Sequence, residues 1–451
     1  MTTLRVRLTP FCIAVLVTAA ACGGPGEATG RDGDGGRPAD AAAVASPVDT
    51  TPRTLRITSH PAAEVIAWAG GHRFHARTPW RARVPAGTVR FELRRAGYNS
   101  VHRTFQLTTA RSFEAWLDPA GLLLASRTRW STGSTPKQVA FTPDGRQAWV
   151  TLLGAHGVQV FDTGSGRLLD AIPLGADHGA VEVIFTRDGE TAYVSQMETA
   201  SVFEIDVHTR EIRRRLYTKG IWSKVMALSP DERTLYVSNW VSDDVSAIDL
   251  ETEKVRRYAT VDTPRGLYVT PEGDELYVAG FADGEIERVD LETGHAETLI
   301  RTGGAMRHLV GDPRDHVVYA SDMAEDKVFE VDLDTGDVTT LARVDHNPNT
   351  IDLDPQGRVL YVSCRGRNGP SYYLPGPEWG SVVLVDTENG RLLDAIVGGE
   401  QTTGLDVSAD GRMLAFSDFL GNRVSTYAIP PYRELANGGG RVREHRAELE
   451  K

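Results

Sequence analysis

Val225-Met226-Ala227-Leu228, Ser229-Pro230-Asp231-Glu232, Leu235-Tyr236-Val237-Ser238-Asn239 and Val245-Ser246-Ala247-Ile248-Asp249 are the successive phrases of a repeat. The same order (an apolar run, a Pro-Asp-Gly-like turn, a Tyr-Val-Ser-like run, an apolar run closing on Asp) returns seven times between Thr135 and Pro431. The closing acids are Asp162, Asp206, Asp249, Asp290, Asp332 and Asp386, at gaps of 44, 43, 41, 42 and 54 residues. Short strands at that period predict the blades of a β-propeller. The first copy supplies strand a (Val139–Thr142), strand b (Ala148–Leu152), strand c (Val158–Asp162) and strand d (Leu168–Leu174). Strands a and b are apolar nearly throughout, as sheets covered on both faces require. Turns such as Thr142-Pro143-Asp144-Gly145 join them, Pro presetting φ and Gly accepting a positive one.

The seventh copy stops at Pro430-Pro431 without a strand d, and an unmatched strand, Leu122–Trp130, precedes the first copy. Joining the two closes the ring and removes the open seam. The expected fold is therefore all-β: a seven-bladed propeller over 121–431, with 121–134 closing the last blade, preceded by a small β-sandwich-like domain. Tyr193-Val194-Ser195, Tyr236-Val237-Ser238 and Tyr361-Val362-Ser363 resemble the signature of the YVTN-repeat (YncE-like) propeller family, a scaffold that hosts many roles.

Upstream, Arg5 and Arg7 precede an apolar core, Phe11–Val17, that is too short to span a bilayer. Ala19-Ala20-Ala21-Cys22 follows and resembles a bacterial lipobox, with Ala19 where the family carries Leu. The resemblance implies a signal over 1–22, lipidation of Cys22, a membrane held through the lipid, and an exported, envelope-anchored protein. Residues 23–53, rich in Gly, Ala, Asp and Pro, are expected to be a flexible tether. The mature chain keeps only Cys364, read as a small buried group. Over 54–118, alternating strands such as Val89-Arg90-Phe91-Glu92-Leu93 and the turn Pro85-Ala86-Gly87-Thr88 resemble the PEGA domain, which implies a surface spacer or wall-associated module. The segment 432–451 reads as a polar tail, a frayed helix without a role.

The repeat also locates a candidate site. Two residues before Val139 and its counterparts stand Lys137, Val181, Lys224, Arg265, Arg307, Asn349 and Thr403. Just past strand b stand Leu153, Met197, Trp240, Phe281, Met323, Arg365 and Phe419. Both positions fall on one face of the disc, because strand a leaves that face and strand b returns to it. Two readings stand for each ring. The large apolar residues either plug gaps between blades or form a collar; the cations either are solvated and paired or ring the channel mouth. The second pair of readings suits an anionic group on an apolar or ring-bearing body. Blade six adds about 12 residues between strands b and c, among them Arg365, Arg367, Tyr372, Tyr373 and Trp379. This loop is expected to overhang the same face, and removing 366–378 to abolish binding while leaving the melting temperature nearly unchanged.

Seven-bladed propellers of this sequence type include lactonases. Arg307-His308-Leu309 and Tyr319-Ala320-Ser321-Asp322-Met323 echo their pattern, but Met323 stands where a Glu is expected. His308 is then either a packed histidine or part of a hydrolytic site. The strand-c aspartates are expected to cap turns rather than bind metal. No metal and no cofactor is expected, and an acidic exported chain (49 basic against 61 acidic residues) argues against nucleic acid. Three readings result: an anchored protein whose propeller binds an envelope or extracellular partner (polymer, peptide or small anion), a lactonase-type hydrolase, or a structural protein whose PEGA-like unit binds.

Overall fold

The structure, a computed structural model, describes residues 51–155, 157–175, 179–312, 314 and 317–451. The expected signal, Cys22 and nearly all of the tether lie outside the described residues.

Alternating residues of the N-terminal unit build two facing sheets. One has strands in the order Trp80–Val84, Arg53–His60, Arg111–Trp116; the other runs His72–Arg77, Glu64–Ala69, Gly87–Arg94, Val101–Leu107. Leu55, Ile57, Val65, Ala67, Val89, Phe91, Leu93 and Leu107 point between them and are buried. This is the small sandwich.

Beyond it, seven four-stranded antiparallel sheets among the described residues form the propeller blades. Their innermost strands are Pro136–Phe141, Ala180–Phe185, Ser223–Leu228, Pro264–Val269, Met306–Gly311, Pro348–Leu353 and Thr402–Val407. Each touches the next, and the last touches the first. The outer strand of blade seven is Ala125–Ser131, paired antiparallel with Arg423–Ala428, so chain start and chain end share one sheet.

The Tyr-Val-Ser phrase has a physical reason. In each blade the a–b ladder is interrupted near the start of strand a; in blade two, Ala180 pairs with Gln196 and Val183 with Val194, leaving Val181 and Glu182 opposite Ser195 alone. Such a bulge orphans a backbone N–H and re-aims side chains. The Ser195 hydroxyl accepts the Glu182 N–H (3.1 Å) and donates to the Lys224 carbonyl of the next blade (2.6 Å). Ser363 does the same with the Thr350 N–H (3.0 Å) and the Thr403 carbonyl (2.6 Å), and Thr151 stands in for it in blade one. One hydroxyl thus heals the bulge and ties neighbouring blades. Gly266 and Gly404 occupy the same ring where inner strands crowd: a Cβ there would lie 2.8 Å from the Leu309 nitrogen and 2.3 Å from Gln138 Oε1.

The strand-c aspartates take their own turns. Asp162, Asp206, Asp249 and Asp290 each accept the N–H three residues on, at 2.7 Å.

The C-terminal segment differs from the polar tail expected. It folds as two short helices, α1 (Tyr432–Asn437) and α2 (Glu444–Leu449), packed on blade six. Leu435 enters the core formed by Leu124, Tyr361, Leu393 and Phe416. The buried carboxylate of Asp394 accepts the Arg441 N–H (2.9 Å) and the Leu123 N–H (2.7 Å), and His445 bonds buried Asp345 at 2.6 Å. Composition hid this because few residues in the segment are apolar, and the buried ones among them are Leu435 and Leu449.

Candidate functional site

The bulge position of strand a carries Lys137, Lys224, Arg265, Arg307 and Asn349, and all of them turn to one mouth of the central channel. Lys137, Arg265, Arg307 and Asn349 are buried; Lys224 is half-buried. Residues just past strand b close over them. Lys224 Nζ lies 3.4 Å from the centre of the Trp240 ring, and the Arg265 guanidinium 5.4 Å from the same ring. Arg307 lies 5.8 Å from Phe281, which itself packs on Trp240 at 4.8 Å, and Arg307 Nη1 lies 3.6 Å from the Met323 sulfur. Lys137 lies 6.0 Å from Phe419. Arg365 is fully buried, 3.7 Å from Tyr372 and 5.9 Å from Phe419, and donates to Gln401. Met323 and Phe419 are buried, while Trp240 and Phe281 are half-exposed, so the collar both packs and faces the mouth.

Five cations therefore share one enclosed space, and aromatic faces rather than carboxylates are their main company. The consequence appears in their protonation. Burial, with the repulsion of Arg265, Arg307 and Lys137 added, pushes Lys224 down to about 5. Burial and Arg307, Arg265 and Arg365 hold Lys137 well below the ordinary amine range. Arg307, buried beside Arg265 and Arg365, is depressed for the same reasons. Several donors are left over: Arg307 Nη2, Arg365 Nε and Nη1 and Asn349 Nδ2 are buried with no hydrogen-bond partner among the described residues. Arg307 Nε is satisfied by Asn349 Oδ1.

The blade-six loop divides in two. Tyr372 and Tyr373 lie on Phe419, at 5.6 and 6.0 Å between ring centres, over the mouth. Arg367 and Trp379 do not reach it, contrary to the expectation. Arg367 pairs with buried Glu378 (2.7 Å), which also takes His346 (3.0 Å). Trp379 packs edge-on against Trp116 of the sandwich (5.5 Å), and its N–H is bound by the Leu449 carbonyl of the tail (2.8 Å). The loop is long enough for its second half to turn outward. The expected indifference of folding to removal of 366–378 is corrected with it, because that deletion takes away Glu378 and its partners. A cut confined to 369–375 spares them.

Further along the innermost strands lies a cavity of about 300 Å³ lined by residues that include Gln138, Glu182, His308, Thr350, Asp352 and Asp406. None of the carboxylates was singled out from sequence, although aligning the residue after the cation in each copy exposes Glu182 and His308 at once. Glu182 is raised to about 7 by burial, against the pull of Lys137, Arg265 and Arg307. His308 is lowered to about 3 by burial and by Arg265, Arg307 and Lys137, so it is neutral at pH 7. It sits beneath the cation layer. Asp352 and Asp406 face each other; burial lifts Asp352 to about 6 and, with its neighbour's charge, lifts Asp406 well above the usual carboxylate range. Two carboxyls so placed hold a proton between them at neutral pH.

Because both folded-state values exceed the unfolded ones, this pair favours the fold fully below about pH 4 and loses that contribution as pH rises through 6. Asp406→Asn is therefore expected to stabilise the protein by about 1–3 kcal/mol at pH 8 and to change little at pH 4. Urea midpoints at the two pH values check this; an equal shift at both contradicts it.

Comparison with known proteins agrees with the ring. The family model described as Lactonase, 7-bladed beta-propeller, matches residues 125–307. Antigen Lp49 of Leptospira interrogans serogroup Icterohaemorrhagiae serovar copenhageni (strain Fiocruz L1-130) is 35% identical over 324 residues, 69% of this chain and 71% of that protein. Among solved structures, hydrazine synthase of Kuenenia stuttgartiensis superposes with a TM-score of 0.57 at 18% identity, over 65% of this chain and 96% of that one. At that identity the likeness concerns the fold alone.

Proposed function

We propose that this chain, which belongs to the family of antigen Lp49, is an envelope-anchored binding protein whose propeller mouth holds an anionic ligand. The observation that carries the reading is the unbalanced set of basic groups: three guanidinia and two lysines in one mouth, two of the guanidinia with unused buried donors, and Glu182 as the nearby carboxylate. Leaving such groups unmet costs stability, so their retention favours a partner that completes them. The aromatic collar suits an apolar or ring-bearing body behind the anionic group. The lipidated Cys22, the PEGA-like sandwich and the YVTN-type repeat belong to the same proposal: they hold the propeller at a bacterial envelope and offer its mouth to the outside.

Binding should take up protons. Lys224, driven to about 5 when the mouth is empty of counter-charge, regains its proton beside an anion. Affinity then rises as pH falls from 8 toward 5, by up to about tenfold per unit for each proton taken up. Calorimetry of anion binding in buffers of different ionisation enthalpy measures this. Binding that releases protons, or is indifferent to pH, contradicts it.

A second reading is favoured by the Lactonase-family match and by His308, which follows Arg307 in the strand and lines the channel cavity. Against it, Met323 sits beside Arg307 where the pattern wants a carboxylate, and His308 is a feeble base. Turnover of lactones by the wild type, lost in His308→Ala, would establish hydrolysis; no turnover in the wild type removes it.

A further inference from the structure

We propose that the mouth takes a compact oxyanion bearing at least two negative charges, and that the Tyr372 phenol holds its place in the ligand-free protein. The inference rests on the binding reading above and adds the class of anion and the group it must displace.

The charge class follows from the surplus. Arg265, Arg307 and Arg365 share the mouth with Lys137 and Lys224, which take up protons once an anion enters, and Glu182, its own ionisation suppressed by burial, offsets little of that charge, so a single negative charge leaves most of the repulsion standing. The geometry follows from the open donors. Arg365 offers Nε and Nη1, Arg307 offers Nη2, and Asn349 offers Nδ2, all buried. An oxyanion with several acceptor oxygens meets several of these at once, as guanidinium forks do with sulfate- or phosphate-type groups.

Tyr372 marks the spot. Its ring covers the Arg365 guanidinium at 3.7 Å while the residue stays 37% exposed at the surface, and against the desolvation of the phenol Arg365, Arg307 and Arg265 together pull it below its ordinary range. The phenol thus lies in the field of three guanidinia. Its oxygen is an internal substitute for an anion's.

The segment that carries it protrudes from the blade. Its tip, 369–375, exposes Tyr373 (58%) and Leu374 (51%). One contact of the tip with the mouth's rim is the Gln401 Nε2–Leu374 carbonyl bond at 3.3 Å. The neck is narrow: a Cβ on Gly369 would lie 2.4 Å from the Pro375 carbonyl oxygen, and one on Gly376 would lie 1.9 Å from that of Arg367. Below the neck, the Arg367–Glu378 pair and the Trp379–Leu449 bond stay in place. Such a tip, held to the mouth by the Gln401 bond and by the Tyr372 and Tyr373 ring contacts, must swing on this neck for an anion to take the place of the phenol.

The test is calorimetric titration of the full chain, and of Tyr372→Ala and Tyr372→Phe, with sodium sulfate, sodium phosphate and sodium acetate at low ionic strength. The wild type is expected to bind sulfate and phosphate at least about tenfold more tightly than acetate. Tyr372→Ala is expected to tighten the dianions about tenfold by removing the competing conformation, and Tyr372→Phe to tighten them less. Weaker binding in both variants would make Tyr372 a ligand contact and overturn the placeholder, as would unchanged affinity. Acetate binding as tightly as sulfate overturns the charge class. In each of those cases the mouth is still an anion site; failure of every anion to bind any of the three proteins would bring down both this inference and the binding reading.

Discussion

Arg307→Met is expected to make the ligand-free protein more stable and to weaken its binding of anions roughly 100-fold. Arg307 is buried beside Arg265 and Arg365, with one donor satisfied by Asn349 and Nη2 unused. An unpaired charge in such a place costs several kcal/mol, and an apolar side chain of similar length that keeps the contact with Phe281 and Met323 avoids the cost. The gain should be about 1–4 kcal/mol. The same change deletes a charged donor that meets the anion, a loss of about 3 kcal/mol or roughly 100-fold in affinity. Opposite signs in the two readouts separate a binding residue from a structural one. Thermal melting without ligand and titration with sulfate check it together; a variant less stable than wild type would show that the guanidinium serves the fold.

Truncation after Asn437 is expected to destabilise the propeller by about 3–5 kcal/mol, the scale of stripping partners from buried charges. The removed residues include Arg441, whose N–H meets fully buried Asp394, and His445, which meets buried Asp345. Asp345 is held below the usual carboxylate range by His445 and Ser381 despite its burial, so its contribution is present above about pH 4 and fades as the solution is acidified. The cut also releases the Leu449 carbonyl from Trp379 and the Lys451 ammonium from the Gly376 carbonyl, loosening the base of the blade-six loop. Urea denaturation followed by tryptophan fluorescence measures the loss. An unchanged midpoint would mean that blade six stands without its strap.

The two expectations show what a repeat makes legible. Seven copies of one phrase carry the architecture, because every copy must solve the same packing problem. Alignment then reaches Lys137, Lys224, Arg265 and Arg307 together, since one backbone position in each blade points to one place. What it did not reveal is the bulge at that position, nor why Ser195 and Ser363 recur: the hydroxyl fills a gap in the ladder that exists only once the sheet is formed. Glu182 was within reach of the same alignment one column later. Gln401 was not, because it lies between strands d and a, outside the repeated phrases. Arg367 and Trp379 were assigned to the mouth because a loop's sequence does not tell where it doubles back; here the direction is set by Glu378, the tail and Trp116, all distant in the chain. The fold of the tail is hidden in the sequence for a related reason. Two leucines, one arginine and one histidine secure it, too few to shift its composition.

The central claim is that the cationic mouth is an oxyanion site, and anomalous diffraction from crystals of the full chain soaked in sodium selenate tests it most directly. The prediction is a strong selenium peak among Arg265, Arg307 and Arg365, within hydrogen-bond reach of Arg307 Nη2 and Arg365 Nη1, with Tyr372 moved aside. An empty mouth in crystals that hold selenate elsewhere would contradict it.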